Sequence, residues 1–257
     1  MRRVVRSVLL AGAVFAPLLG VAREASAQSA DPSTFKMLPW REIWAGTDVM
    51  GHAWSAYVGQ TFSLSEGIQA DGWRIRAVSG YGRYTYVRDH WAGSASTPLR
   101  HHGVSSFADI LLGYHANMGA LTVKAFAGAH LDRYDVTPAD PDFDLAGYGT
   151  GAKLVLESWL NIGSAGFASL DLAWTTGRDT ADARLRTGWR ALPALSIGLA
   201  GQANGDLALQ SLRAGAFVRY EWASGEVSAS AGAAETRGDN LRRDDGLYGT
   251  LNVLFRY

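Results

Sequence analysis

Apolar and polar residues alternate along most of this chain, and the polar positions carry full charges and many glycines. Ile110, Leu112, Tyr114, Ala116 and Met118 occupy one face of a strand, with Asp109, Gly113, His115 and Asn117 on the other. The next run sets Leu121, Val123, Ala125, Ala127, Ala129 and Leu131 against Thr122, Lys124, Gly128, His130 and Asp132. Two later runs repeat the arrangement, with Leu185 and Trp189 against Asp182, Arg184, Arg186 and Arg190, and with Leu212, Val218 and Tyr220 against Arg213, Arg219 and Glu221. Period two places successive side chains on opposite faces of a sheet. A soluble sandwich buries its apolar face in a core, whereas here the charged face runs the full strand length and suits a polar interior, leaving the apolar face for lipid. In hydrocarbon every backbone N–H and C=O needs an internal partner, so the sheet cannot keep an open edge. The expected fold is an all-β, transmembrane, up-and-down antiparallel β-barrel.

Twelve segments carry the pattern, at about residues 41–49, 53–63, 71–88, 103–118, 119–133, 145–159, 165–176, 181–191, 194–203, 208–222, 225–236 and 246–257. Many match the ~9–11 residues of a tilted membrane strand. With the N-terminus in the periplasm, the inner links are Leu64–Ala70, Met118–Gly119, Leu160–Ser164, Leu192–Pro193 and Ala223–Ser224. The outer links include the long polar stretches Asp89–His102, Tyr134–Asp144 and Arg237–Asp245. Short inner turns and long outer loops are the asymmetry of outer-membrane barrels. The inner link Leu64–Ala70 and the short outer link Met50–His52 break that trend. Trp73, Tyr114, Trp174, Trp189, Tyr220, Trp222 and Tyr257 sit near strand ends, where aromatic residues anchor in the headgroup region.

The first 27 residues read as a secretory signal peptide. Arg2, Arg3 and Arg6 precede an apolar run from Val8 to Ala22, and Ala25-Ser26-Ala27 offers a cleavage site. A linker, residues 28–39, follows, and the barrel occupies 40–257. Removing the peptide takes four Arg and one Glu from 24 basic and 24 acidic residues, which leaves a small negative net charge. No basic excess is available for nucleic acid. The chain has no Cys, so disulfides and thiolate metal sites are excluded. Mean hydropathy is near zero, as alternating strands require.

The inward faces hold Arg74, Arg76, Lys124, Lys153, Arg184, Arg186, Arg190, Arg213, Arg219 and Arg256 together with Asp48, Asp109, Glu157, Asp171, Asp182 and Glu221. Two readings of this interior stay open, a salt-bridged, partly filled lumen and a polar water-filled path. Arg184, Arg186 and Arg213 with Asp171, Asp182 and Glu221 are candidates for a lumen constriction. No catalytic, cofactor or metal residues are assigned. GxSxG, HExxH and P-loop motifs are absent. His101-His102 reads as a solvated pair in an outer loop, since a metal site would need further ligands that the sequence does not place. The Asp140–Asp144 loop reads as a solvated acidic loop in preference to a divalent-cation site, because the Gly and terminal Glu of a calcium loop are missing.

The stretches WAGTDVMGHAWSAYVGQTFSLS, DGWRIRAVSGYGRYTY, FADILLGYH, VKAFAGAHLDRYD, GYGTGAKLVLESWLN and the closing GLYGTLNVLFRY resemble the BcsS family of bacterial cellulose biosynthesis proteins. The resemblance covers about residues 40 to 257. It implies an outer-membrane component associated with cellulose synthesis and carries no catalytic residues over. A non-enzymatic accessory aiding export or surface retention of the β-glucan is therefore expected. The alternatives are a barrel enzyme acting on lipid or polysaccharide and a narrow general pore. Expected partners are outer-membrane lipid, the barrel assembly machinery through the terminal strand ending in Tyr257, and cellulose with other secretion components; nucleic acid is not among them. Tyr84, Tyr86 and Trp91, with Arg83 and Arg88, are the candidate glucan contacts near the outer end of the third strand, and an interfacial girdle is the other role open to them.

Overall fold

A computed structural model describes residues 39–92, 95–140, 146–205, 209–238 and 244–257. The expected signal peptide and the linker up to residue 38 lie outside the described residues. The strands are β1 (Arg41–Met50), β2 (Ala53–Ser63), β3 (Gly72–Ala92), β4 (Ala95–Met118), β5 (Leu121–Thr137) and β6 (Gly147–Ile162). They continue as β7 (Gly166–Thr175), β8 (Thr180–Leu192), β9 (Leu195–Gly205), β10 (Leu209–Trp222), β11 (Gly225–Gly238) and β12 (Asp244–Arg256). Each strand pairs antiparallel with its sequence neighbours, and β1 pairs with β12, so the sheet closes into a twelve-stranded barrel.

The alternation is inverted relative to a soluble protein. Ile110, Leu112, Leu131, Leu199 and Leu212 are exposed on the outer wall, while Arg74, Arg76, Asp109 and Asp132 are buried inside. On β3 the outer face runs from Trp73 to Tyr81 through Ile75, and both aromatic residues are exposed. Those nine positions span ~26 Å along the strand, close to the ~25 Å apolar band of an outer-membrane barrel. Trp73, Tyr114, Trp189, Tyr220 and Tyr257 mark the inner interface, and Trp54, Tyr81, Tyr148 and Trp174 the outer one.

Two features depart from the expected loops. Of the stretch expected as the outer loop Asp89–His102, residues 89–92 and 95–102 are strand: β3 and β4 stay paired to Ala92 and Ala95, and β5 pairs with β4 as far as Thr137 opposite His102. The hairpin thus projects well beyond the lipid belt. Sequence alternation misses it because both faces of a strand in water can be polar.

The second departure is the link Leu64–Ala70, expected on the inner side, which folds into the mouth of the barrel at that end. Ile68 is buried, and its carbonyl accepts from His115 Nδ1 at 3.3 Å. Arg74, 1% exposed, donates to the Gly67 and Ile68 carbonyls at 3.1 and 3.3 Å and to that of Ala70. A guanidinium satisfies several orphan carbonyls at once, which is why an arginine stands here. The length of this link, out of keeping with the other inner turns, is explained by its role as an inner cap.

Candidate functional site

Above the inner cap, side chains cross the interior. Arg76 of β3 donates to both carboxylate oxygens of Glu157 on β6, the second bond at 3.1 Å. Its guanidinium also lies 3.8 Å from the Phe126 ring centroid and 5.1 Å from that of Trp44. Cation–π contacts of this kind reach about 2 kcal/mol when desolvated. Lys124 of β5 approaches Glu42 of β1 at 3.9 Å. Tyr57 donates to the side-chain oxygen of Asn252. Two residues along β6 from Glu157, Trp159 stacks on Phe167 of β7 at 4.4 Å, and Phe217 of β10 packs beside Phe167. Beneath them Arg219 bridges Glu221 and Glu226 at 2.7 and 2.5 Å. The interior thus holds an ion-paired and aromatic layer.

The outer half of the lumen contains a cup of about 640 Å³. That is the size of a small-ligand pocket. One wall, from β3 to β5, presents Tyr84, Tyr86, Phe107 and Tyr134. The facing wall presents Asp182, Asn204, Ser211 and Arg213. Tyr84 and Tyr86 stack at 6.1 Å, and Tyr86 stacks on His101 at 5.0 Å, so rings form a column leading up the hairpin. Gly103 makes room for it, because a Cβ there would fall onto the Tyr84 ring.

A hydrogen-bonded chain underlies the aromatic wall. Lys153 donates to Asp109 at 2.7 Å, and Asp109 meets His130 Nδ1 at 2.5 Å. His130 Nε2 faces Asp132 at 3.2 Å, and Arg178 donates to Asp132 at 2.7 Å. Both ring nitrogens of His130 therefore point at carboxylates, which leaves neither to take a proton from a nucleophile. His115 is engaged with the inner cap instead.

The candidate glucan contacts separate by face. Tyr84 and Tyr86 line the cup. Arg88 is buried on the same face, 3.2 Å from Asp140. Arg83 points outward and donates to the Tyr81 hydroxyl at 2.9 Å. The side chain of Trp91 lies outside the described ones.

The candidate constriction residues spread over several heights. Arg213 pairs with Asp48 at 2.5 Å near the cup floor, where Asp182 accepts from Gln202 at 2.8 Å. Arg186 stands 3.5 Å from Asp171, and Arg184 is opposite Asp171 in the β7–β8 register. Glu221 lies at the inner end with Arg219. The Arg76–Glu157 pair was singled out by none of these candidates, since the partners are 81 residues apart and no local signal joins them.

Two readings of the outer stretches are corrected. His101 is not solvated: it lies on β4 with 0% exposure. Asp140 is buried too, and accepts from the Tyr86 hydroxyl at 2.7 Å. Residues 141–144 of the expected acidic loop lie outside the described residues.

Residues 43–257 match the family model described as cellulose biosynthesis protein BcsS. The chain belongs to the BcsS family. That match spans nearly the whole barrel. A search of curated protein sequences finds no match for this BcsS-family chain. Among solved structures it is similar to the COG4313 outer membrane channel from Pseudomonas putida F1, at 12% identity and a TM-score of 0.49, covering 89% of this chain and 100% of that one. It is also similar to LpxR from Salmonella typhimurium, at 10% identity and a TM-score of 0.47, covering 84% and 100%. KdgM porin is a third, at 7% identity and a TM-score of 0.44, covering 84% and 99%. The closed barrel with its apolar outer wall makes this BcsS-family protein an outer-membrane barrel associated with cellulose biosynthesis.

Proposed function

We propose that the protein is a non-enzymatic accessory of cellulose export or surface retention, exported through its signal peptide, that holds β-glucan at the outer cup. The observation that carries this reading is the pairing of an aromatic wall, Tyr84, Tyr86, Phe107 and Tyr134, with a hydrogen-bonding wall of Asp182, Asn204, Ser211 and Arg213. Sugar rings offer apolar C–H faces to aromatic rings and hydroxyls to polar groups at their edges, so a cup with these two walls suits a glucan segment. The cross-lumen pair of Arg76 and Glu157 below the cup favours capture over bulk passage of polymer. The engagement of both His130 nitrogens with carboxylates speaks against a hydrolytic role there.

The test has a cellular and a purified arm. Deletion is expected to lower secreted or cell-attached cellulose while synthase activity in isolated membranes is retained. The folded barrel in detergent is expected to bind cellohexaose, with affinity reduced at least tenfold by Tyr84→Ala. Unchanged cellulose output and attachment, together with hydrolysis of lipid or glucan by the purified barrel, would overturn the proposal.

A further inference from the structure

Above the cup, His90 and His101 turn their Nε2 atoms toward each other at 3.1 Å. The Asp140 carboxylate joins them, and the three ligand atoms all lie within 4.8 Å of one another. We propose that His90, His101 and Asp140 form a binding site for a divalent transition metal, Zn²⁺ in the first instance. The inference stands apart from the proposed glucan role.

The donor set has the right chemistry. Two imidazoles and one carboxylate suit zinc rather than magnesium or calcium, which favour all-oxygen shells. Tetrahedral bonds of ~2.0–2.1 Å to zinc place neighbouring ligand atoms about 3.3 Å apart, close to the observed nitrogen separation. His101 Nδ1 is 2.9 Å from the Pro138 carbonyl, which can only accept. That nitrogen therefore carries the proton, and Nε2 of the neutral ring is left with its lone pair aimed at the site. A ligating histidine held through its other nitrogen by a backbone carbonyl is the usual outer-shell arrangement at metal centres.

The surroundings also hold Asp140 in place. Tyr86 stacks on His101 with an interplanar angle of 15° and donates its hydroxyl to Asp140 at 2.7 Å. Arg88 stands 3.2 Å from the same carboxylate oxygen. Sharing the carboxylate with a guanidinium weakens its pull on a cation, so the site is suited to exchangeable metal from the external medium. His101 and Asp140 are 0% and 7% exposed, so two of the three ligands are already withdrawn from water. The ligands come from β3, β4 and the segment after β5. A bound ion would clip that segment to the projecting hairpin over the cup.

The experiment uses untagged full-length mature protein folded in detergent, stripped with a chelator and titrated with ZnCl₂ by calorimetry. One equivalent is expected to bind. His90→Ala, His101→Ala and Asp140→Asn should each weaken binding at least tenfold. His102→Ala, an exposed neighbour on the same strand, should leave it unchanged. Co²⁺ in place of zinc should give the visible bands of a tetrahedral nitrogen–oxygen site, lost in His90→Ala. Folding of every variant is checked by heat-modifiable gel mobility. Should His101→Ala fail to fold, the half-buried His90 decides the matter. Failure of the folded wild type to take up zinc, or equal uptake by the folded His90→Ala variant, would overturn the assignment.

Discussion

Arg76 and Glu157 lie 81 residues apart in sequence, on strands separated by two others, and meet across the barrel interior through two hydrogen bonds. Their side chains keep 7% and 28% of their exposure. A pair so placed holds β3 and β6 at a set distance and occupies the lumen between the outer cup and the inner cap. Replacing both residues by Ala is expected to raise single-barrel conductance several-fold over a small wild-type value in planar bilayers. An unchanged value would mean that the narrowest level lies elsewhere. Glu157→Ala alone leaves a buried guanidinium without its carboxylate, held only by Thr61 and the Phe126 and Trp44 rings. It should lower the temperature at which folded gel mobility is lost more than the double replacement does.

Arg74 carries the inner cap. It is the common donor to Gly67, Ile68 and Ala70, and Glu66 at the edge of the cap is exposed while Gly67 and Ile68 are buried. A glutamate-specific protease must extend the chain around its target bond, which the tucked conformation resists. Wild-type barrel is expected to survive digestion, and Arg74→Ala to be cut after Glu66 into two fragments separable after denaturation. Cutting of both proteins at equal rates would show that the guanidinium does not hold the cap.

What was legible from sequence follows from what lipid demands. Between Trp73 and Tyr81, or Ile110 and Tyr114, the bilayer requires apolar residues on one face, so alternation survives and strand positions can be read. Beyond Tyr81 that demand ends. Polar residues then stand on both faces of the strand, the pattern fades by Arg88, and Asp89–His102 reads as a loop although the backbone remains paired to Ala92. The site was legible as residue types but not as an assembly. Tyr84 and Tyr86 are two apart and share a face by local geometry. Joining His101 to Asp140, or Arg76 to Glu157, depends on barrel closure and shear, which no local window contains. The inner cap left one trace in the sequence, the length of the Leu64–Ala70 link against the shorter inner turns.

Topology can be tested without background labelling, because the chain has no Cys. His102→Cys lies on the exposed face of the projecting hairpin, and Pro193→Cys in a tight inner turn. A membrane-impermeant maleimide applied to intact cells is expected to label the first and not the second. Opening the outer membrane should expose both. Labelling of Pro193→Cys alone in intact cells would invert the barrel.

The seam between first and last strands depends on the final residue. The Tyr257 carbonyl accepts from the backbone N–H groups of Trp40 and Arg41 at 3.0 Å each, and its own N–H donates to Arg41 at 3.0 Å. Its hydroxyl accepts from Gln60 Nε2 at 2.8 Å, reaching over β1 to β2. Deleting Tyr257 removes these bonds where the sheet closes and leaves the Trp40 and Arg41 backbone groups of the seam without their protein partners at the membrane interface. Tyr257→Ala keeps the backbone bonds and loses only the ring. The deletion is expected to reduce the folded, heat-modifiable fraction in outer membranes severely, and Tyr257→Ala to reduce it less. In detergent, where no assembly machinery acts, the substituted protein should fold nearly as well as wild type. A deficit for Tyr257→Ala in cells but not in detergent would separate recognition of the terminal aromatic from closure of the seam, whereas equal deficits in both would assign the whole effect to closure.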